Sequence, residues 1–368
     1  MMKAVVVESP GGIEALKYGD IEVPSISSGQ VLVKNEFAGL NFIDTCERIV
    51  PSCSTIPCCL TAVSLVLSDH RSGLYKRDYP IVLGQEGGGT ISKVNDEDKS
   101  KLAEAGLKVG DRVVYGAFGS YAEYTAVPIA KLVPIPDGIG METALACTVQ
   151  GLTAHYLSSS VGSGVARPGD WVLVYSVGSG TGQWTSKMCK LRGYKVIGTT
   201  SRNKIEELSE ADAAADFGCD HLIVLENVQG KSYADYESTD IVSRVKEITD
   251  NRGCKMIIDG VGKSTYQISL ECLAKRGIFV SFGNASGAVP AFPVLKLTPQ
   301  SAYVTRPKLN DYVATREELL ERAGEVFDWV KKGELKISVD KTFNLKDVAE
   351  GHAYIEGGRS RGKILFKP

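Results

Sequence analysis

Apolar positions in the first third of the chain form short alternating or continuous runs, at residues 3–7, 30–37, 89–94, 111–115 and 121–127, divided by Gly, Pro and Ser. A two-residue period with such punctuation predicts strands, and strands this closely spaced predict a twisted, partly closed β-barrel. Near Gly151 the rhythm changes. Runs at 171–175, 195–199, 221–224, 256–259 and 278–282 alternate with helical stretches, the pattern of a doubly wound parallel sheet. The last segment holds a helical stretch at 316–332 and a closing strand at 363–366. It is too short to fold alone, so it is expected to return to the first domain and make that domain discontinuous.

A length of 368 residues suits two domains at roughly 150 residues each. The expected division is residues 1–151 with 297–368 for the barrel domain and 152–296 for the doubly wound domain. Lys and Arg number 42 against 44 Asp and Glu, a net charge of −2 that offers no bulk attraction for nucleic acid or anionic lipid. The longest apolar run, residues 58–67, is about half of what a membrane helix needs, so no span is expected. Glu8 comes too early for a secretory core, and a cytoplasmic protein is the expectation. Nine cysteines without a secretion signal argue against a disulfide framework and raise the question of metal or catalytic use.

The clearest chemistry follows the strand at 170–175. The chain runs through Ser176-Val-Gly178-Ser179-Gly180-Thr181-Gly182 into a helix at 183–192 that Gly193 stops. Glycines there let the backbone turn tightly and let a pyrophosphate approach amides at a helix start. An NAD site presents Asp or Glu about 20 residues further on, to hold the ribose 2′-hydroxyl. This chain offers Thr199, Thr200, Ser201, Arg202, Asn203 and Lys204, with no acid between Gly182 and Glu206. The hydroxyls and two cations of Thr200, Ser201, Arg202 and Lys204 suit a 2′-phosphate, so NADPH is the expected cofactor. The plainer alternative is a solvated basic loop.

The residues resemble the zinc-free branch of the medium-chain dehydrogenase/reductases, and most closely the NADPH:quinone oxidoreductases related to zeta-crystallin. The resemblance rests on Gly39-Leu-Asn41-Phe-Ile-Asp44, Arg71-Ser-Gly-Leu-Tyr75, Gly84-Gln85-Glu86-Gly-Gly-Gly89, Gln150-Gly-Leu-Thr153, the glycine turn, Asp259-Gly-Val-Gly262 and Phe279-Val-Ser-Phe282-Gly283-Asn284. It implies a GroES-like catalytic domain beside a Rossmann domain and transfer of electrons from NADPH to a quinone. It further implies Asn41, Asp44 and Tyr75 at the reacting end, with Asn41, Thr153, Phe282, Gly283 and Asn284 against the cofactor. Tyr75 reads equally well as a plain turn residue. Zinc-dependent members carry Gly-His-Glu in place of Gly84-Gln85-Glu86 and a Cys near Asn41, so the ligands zinc needs are missing and no metal is expected. The histidines are scattered, and Cys147, Cys189, Cys219, Cys254 and Cys272 occur singly, as small core residues do.

Two departures stand out. Ser176 and Ser179 occupy turn positions where the family commonly has Ala and Gly, and Gly358 stands where the family often has a phosphate-binding Arg, so Arg359 is the substitute candidate. The resemblance also implies a homodimer or homotetramer joined through cofactor-domain edge strands, here near 279–292. Reduction of α,β-unsaturated carbonyls is the nearest alternative activity. Binding of AU-rich messenger RNA in competition with NADPH, or a purely structural crystallin-like role, are alternatives of other classes.

Residues 46–69 interrupt the family pattern between Thr45 and Arg71 with a stretch of no clear period that contains Cys46, Cys53, Cys58 and Cys59. A long structureless loop inside a compact domain is itself unusual. Its codons can be written with an intron donor across Cys46 to Arg48, a branch site at Leu60-Thr61 and an acceptor across Ser68-Asp69. Splicing there would leave a tyrosine followed by His70-Arg71, restoring the family pattern in frame. A retained intron is therefore the expectation, with a lid loop or a cysteine metal clip as the competing readings.

Overall fold

The computed structural model describes residues 1–49, 79–205, 208–229, 234–336 and 338–368, with backbone alone for 46–49. Tyr75 and nearly all of the suspected insertion lie outside the described residues.

The first domain contains β1 (Met2–Val7), β2 (Lys17–Ile21), β3 (Gln30–Leu40), β4 (Ile81–Val82), β5 (Gly87–Val94), β6 (Arg112–Tyr115), β7 (Tyr124–Pro128) and β8 (Leu132–Pro134). β3 is the hub. It pairs with β7 along its first half and with β5 along most of its length, and register shifts at Leu32/Val33 and Asn35/Phe37 bend it. A strand bent by bulges curls its sheet, which is how the barrel partly closes around Val31, Val33, Ile91, Val113, Tyr115 and Leu132. β7 starts later than the apolar run suggested, because Tyr121 N is bonded to Leu83 O across a turn at Gly119.

The second domain contains β9 (Trp171–Val174), β10 (Lys195–Ser201), β11 (His221–Leu225), β12 (Cys254–Asp259), β13 (Leu273–Ser281) and β14 (Tyr303–Thr305). Their spatial order is β11-β10-β9-β12-β13-β14 with every pairing parallel. This is the Rossmann order, whose topological switch point lies between the first strand and the fourth, here β9 and β12. β14 corrects the expected boundary at residue 297, since the sheet continues to Thr305. Three residues are too few for a period to register. β14 also takes the edge position that placing the seam at 279–292 assigned to β13, which is interior.

The chain then returns to the first domain's sheet. β15 (Val339–Asn344) and β16 (Lys363–Lys367) extend the first domain's sheet, with β16 antiparallel to β3. Between the domains a helix at Met141–Ala146, a π turn at Cys147–Gly151 and a helix at Leu152–Ser159 form one continuous path. The helix Arg316–Lys331, started by a Thr315/Glu318 capping box, lays Leu319, Ala323, Val326 and Phe327 into a core shared with Leu145, Leu152, Ala154 and Trp184. Each of the Leu, Val and Phe side chains among them contributes roughly 1.5–3 kcal/mol on burial. The shared core makes the junction a solid support for the cleft. Among the described residues no helix is long and apolar enough to cross a membrane.

Candidate cofactor and substrate site

The glycine turn leaves the end of β9 at the switch point. Ser176 takes φ 58°, a left-handed conformation uncommon for a residue with a side chain. It is held there by Ser176 N donating to Thr199 Oγ1 (3.2 Å) and by its hydroxyl against Tyr236 OH (3.2 Å). A Cβ on Gly182 would sit 2.1 Å from Ser176 O, and one on Gly178 would sit 2.5 Å from Thr200 Oγ1. Glycine is thus required by close approach of backbone to backbone in one case and of turn to second strand in the other. Ser179 caps the helix Gly180–Leu191 by accepting from Gly182 N at 3.2 Å. The Gly180 and Thr181 N–H groups remain as donors in the first turn, where the helix dipole favours an anion.

At the end of β10, Thr200 and Ser201 are buried, and so is Lys204 just beyond it. Burial pulls the Lys204 ammonium down to about 8, and its Nζ donates to Ser360 O. Ser201 donates to Asn203 Oδ1 (2.6 Å). Arg202 is exposed and paired with Glu226 (3.3 Å) and Glu210 (3.2 Å). These carboxylates arrive from other elements, so the absence of acids along 183–205 did not reveal them. Arg359 lies over the Tyr354 ring, 5.0 Å from its centroid, whereas Arg361 Nη2 reaches Asn203 O at 3.3 Å. The structure therefore brings Arg361, and not Arg359, to the turn that follows β10. Gln183 Nε2 donates to Arg361 O (2.6 Å), so residues 358–363 form a strap from this turn toward β16.

Asn41, at the end of β3, is buried where the two domains meet. Its Nδ2 donates to Glu86 Oε1 (2.7 Å), and its Oδ1 accepts from Lys363 Nζ (3.1 Å). Lys363 also contacts Glu86 directly, and Glu86 Oε2 accepts from Val149 N (2.7 Å) in the π turn. Gln150, next in that turn, is buried against Gly180, where a Cβ would come within 2.4 Å of Gln150 Oε1. Gln150, Gly180, Gln183, Trp184 and Lys363 line one crevice. Asp44 is fully buried, and its Oδ2 accepts from Asn41 N (2.8 Å) and Tyr121 OH (3.2 Å), which makes it a brace for the Asn41 backbone. Thr153 stands half-buried in the helix after the π turn.

On the far side of the switch point, Asp259 is buried at the end of β12. Its Oδ1 accepts from Val261 N and Gly262 N, and its Oδ2 from the Thr265 and Ser269 hydroxyls. Burial pushes this carboxyl above its usual range against those four bonds. Phe282, Gly283 and Asn284 follow β13, with Arg306 Nη1 fastened to Ser281 O (2.8 Å) and Gly283 O (3.0 Å). With its amide turned so that both atoms are satisfied, Asn284 donates to Gly283 O (2.8 Å) and accepts from Arg306 Nη2 (3.1 Å).

Two buried atoms lack a partner among the described residues at places that bear on a ligand: Thr200 Oγ1 beside Gly178 and Gln150 Oε1 beside Gly180. Orphaned polar atoms facing a glycine-lined turn at a helix start fit a dinucleotide. Gln150, Glu86, Lys363 and Arg361 had no role assigned from sequence. Lys363 in particular carried no local signal, since a lysine opening a strand is ordinarily exposed.

A family model for the alcohol dehydrogenase GroES-like domain matches residues 27–137, and one for zinc-binding dehydrogenases matches residues 219–365. The chain is 33% identical to a quinone oxidoreductase of Pseudomonas aeruginosa, with all of both chains covered. It is 30% identical to a 2-haloacrylate reductase of Burkholderia, over 100% of this chain and 99% of that one. A crystal structure of Escherichia coli quinone oxidoreductase complexed with NADPH superposes with a TM-score of 0.82 at 32% identity, over 100% of both chains. The chain belongs to the quinone oxidoreductase family of zinc-free medium-chain dehydrogenase/reductases.

Within this quinone oxidoreductase fold the remaining polar candidates have structural places. Among the described residues no three His, Cys, Asp or Glu side chains cluster as metal ligands. His155 meets Glu325 and both Arg192 and Arg322 near the helix Arg316–Lys331, His352 is buried in the first domain, His221 is exposed, and His70 lies outside the described residues. Four of the five described thiols, Cys147, Cys189, Cys254 and Cys272, are buried, and Cys219 is half-buried. Burial raises all five, Cys189, Cys219 and Cys272 to about 12, so they stay protonated and unreactive at neutral pH.

Proposed function

We propose that this chain is an NADPH-dependent quinone reductase that works without zinc. The observation that carries the reading is the glycine turn at the switch point, followed at the end of β10 by Thr200, Arg202 and Lys204 in place of a carboxylate. When bound, NADPH supplies two electrons as hydride, and a quinone is electrophilic enough to accept them without a Lewis acid.

The protein's own part is binding, orientation and exclusion of water. The first-turn amides at Gly180 and Thr181, with Ser176, Gly178, Ser179 and Gly182 shaping the turn, would hold the pyrophosphate. Thr200, Ser201, Arg202, Lys204 and Arg361 would hold the 2′-phosphate. Asn41, Gln150 and Thr153, with Phe282, Gly283 and Asn284 opposite, would hold the nicotinamide end. The hydrophobic junction supports the cleft from beneath, and a bound quinone would itself displace water from the reacting face. Tyr75 is retained as a candidate donor to the quinone oxygen.

The direct test is a titration of the full chain with NADPH and NADH, followed by turnover of 1,2-naphthoquinone. NADPH should bind at least about tenfold more tightly, the worth of one charge-assisted phosphate contact. Equal affinity, or no binding of either, would refute the reading.

The 2-haloacrylate reductase relative favours reduction of activated C=C bonds as the second reading, in the same site with the same cofactor. A panel of quinones against alkenals and haloacrylates separates the two by kcat/KM. The proposed setting is the cytoplasm, in the zeta-crystallin-like branch, as a homodimer. In support of the dimer, β14 is the sheet edge, and Val294, Leu295, Tyr303 and Val304 are exposed around it. Sedimentation of the wild type beside Val304→Lys checks it, with an unchanged dimer arguing against this seam.

A further inference from the structure

Glu86 and Lys363 form an ion pair in which neither side chain is exposed to solvent at all. Withdrawing two charges from water is unfavourable unless each is saturated by hydrogen bonds, and an apolar pair of the same volume would hold a fold as well. Here the ammonium is saturated and both carboxylate oxygens are bonded. Lys363 Nζ donates to Leu40 O (3.3 Å), Asn41 Oδ1 (3.1 Å) and Glu86 Oε1, which uses all three of its protons. Glu86 accepts from Lys363 and Asn41 Nδ2 on one oxygen and from Val149 N on the other.

The consequence falls on Asn41. An amide can flip, exchanging a donor for an acceptor, but this one has its Nδ2 on a carboxylate and its Oδ1 on an ammonium. Flipping would set oxygen against the carboxylate and N–H against the ammonium. The pair thus leaves Asn41 with one defined N–H and one defined lone pair to offer a ligand. Through Val149 the same carboxylate holds the π turn that carries Gln150, whose Oε1 beside Gly180 has no partner among the described residues.

We propose that Glu86 and Lys363 are a positioning pair that fixes the Asn41 amide and the Val149–Gln150 turn at the nicotinamide end of the site. The proposal rests on the reading of that site as an NADPH-binding reductase. Neither residue touches the reacting atoms. Their effect is on alignment, so their loss should appear in kcat more than in NADPH affinity.

The test compares Lys363→Met, Glu86→Gln and the double variant with the wild type, all as the full chain. Thermal midpoint, NADPH affinity from nicotinamide fluorescence, kcat and KM for 1,2-naphthoquinone, and the isotope effect with 4-deuterated NADPH are measured on each. Lys363→Met strands a buried carboxylate and should lower the midpoint. The double variant removes both charges and should recover part of the midpoint, the introduced amide keeping one of the two acceptors that Asn41 Nδ2 and Val149 N use, yet keep kcat down by about tenfold to a hundredfold with a raised isotope effect and NADPH affinity within about threefold. A double variant with wild-type kcat would reduce the pair to a structural role and overturn the proposal. So would a loss confined to KM. If the wild type reduces neither quinones nor activated alkenes, the functional reading fails. The pair is then judged by the emission of bound NADPH alone, which should shift between wild type and double variant, and an identical spectrum would overturn it.

Discussion

The proposed phosphate end and the proposed nicotinamide end of the site are built in opposite ways. The turn from Ser176 to Gly182 and the end of β10 lie within one strand-helix-strand unit that shapes the turn from its own residues, and the 358–363 strap is added to it from the far end of the chain. The Asn41 junction joins the end of β3, the start of β5, the π turn and the start of β16, with Asn41 and Lys363 separated by 322 positions. A pyrophosphate is the same in every dinucleotide, and a glycine turn at a helix start recognises it with main-chain groups alone. Alignment of a reacting ring needs side chains held from several sides, which only distant segments brought together can supply.

The largest expected effect is at the local end. Gly182→Val places atoms within reach of Ser176 O, where even a Cβ would lie at 2.1 Å, and backbone cannot yield there as a side chain could. Nicotinamide fluorescence should show no NADPH binding, with stability lowered by roughly 1–3 kcal/mol in chemical denaturation. Retained binding would mean that the turn tolerates a shift and that the local cradle is less rigid than its geometry indicates.

Next comes selectivity. Thr200→Val with Lys204→Met removes a buried hydroxyl that has no partner among the described residues and the buried ammonium. The preference for NADPH over NADH should fall by about tenfold to a hundredfold, with NADH affinity unchanged in the same titration. A parallel loss of both cofactors would show that these residues support the turn and do not read the phosphate.

The same lysine gives a pH dependence. Its ammonium is held near 8 by burial, below the ordinary value for lysine, so it is charged below pH 8 and loses that charge as pH rises. Affinity for NADPH relative to NADH should decline between pH 7 and 9 in the wild type and stay flat in Lys204→Met, apart from any titration of the phosphate itself at the acid end. A slope that persists in the variant assigns the titration to another group.

The smallest effect distinguishes two arginines. Arg361→Ala, which removes the contact to Asn203, should weaken NADPH by about fivefold, the worth of one modest hydrogen bond. Arg359→Ala, which only uncovers Tyr354, should change it by less than about twofold. The reverse order would restore Arg359 as the phosphate contact.

Legibility follows the same division. β9, β10 and the helix between them fell within a few residues of the apolar runs, because strand and helix periods and glycine punctuation are local properties of the chain. The return of the last segment to the first domain was also readable, since a lone helix and strand cannot bury a core. β14 was not, being three residues long. The two carboxylates on Arg202, the choice of Arg361 over Arg359, and the role of Asp44 as a brace all depend on which side chains meet across elements.

Thus the chain's own pattern determined two domains, their sheet types, the dinucleotide turn and a basic, hydroxyl-rich end to the second strand, because each is encoded in residues that lie side by side. Only the tertiary structure decided that Lys363 would be buried on Glu86 with Asn41 bonded to both. Nothing near any of the three in sequence requires it. A buried charge is tolerable only where its partner arrives from elsewhere, and that arrival is a property of the folded topology.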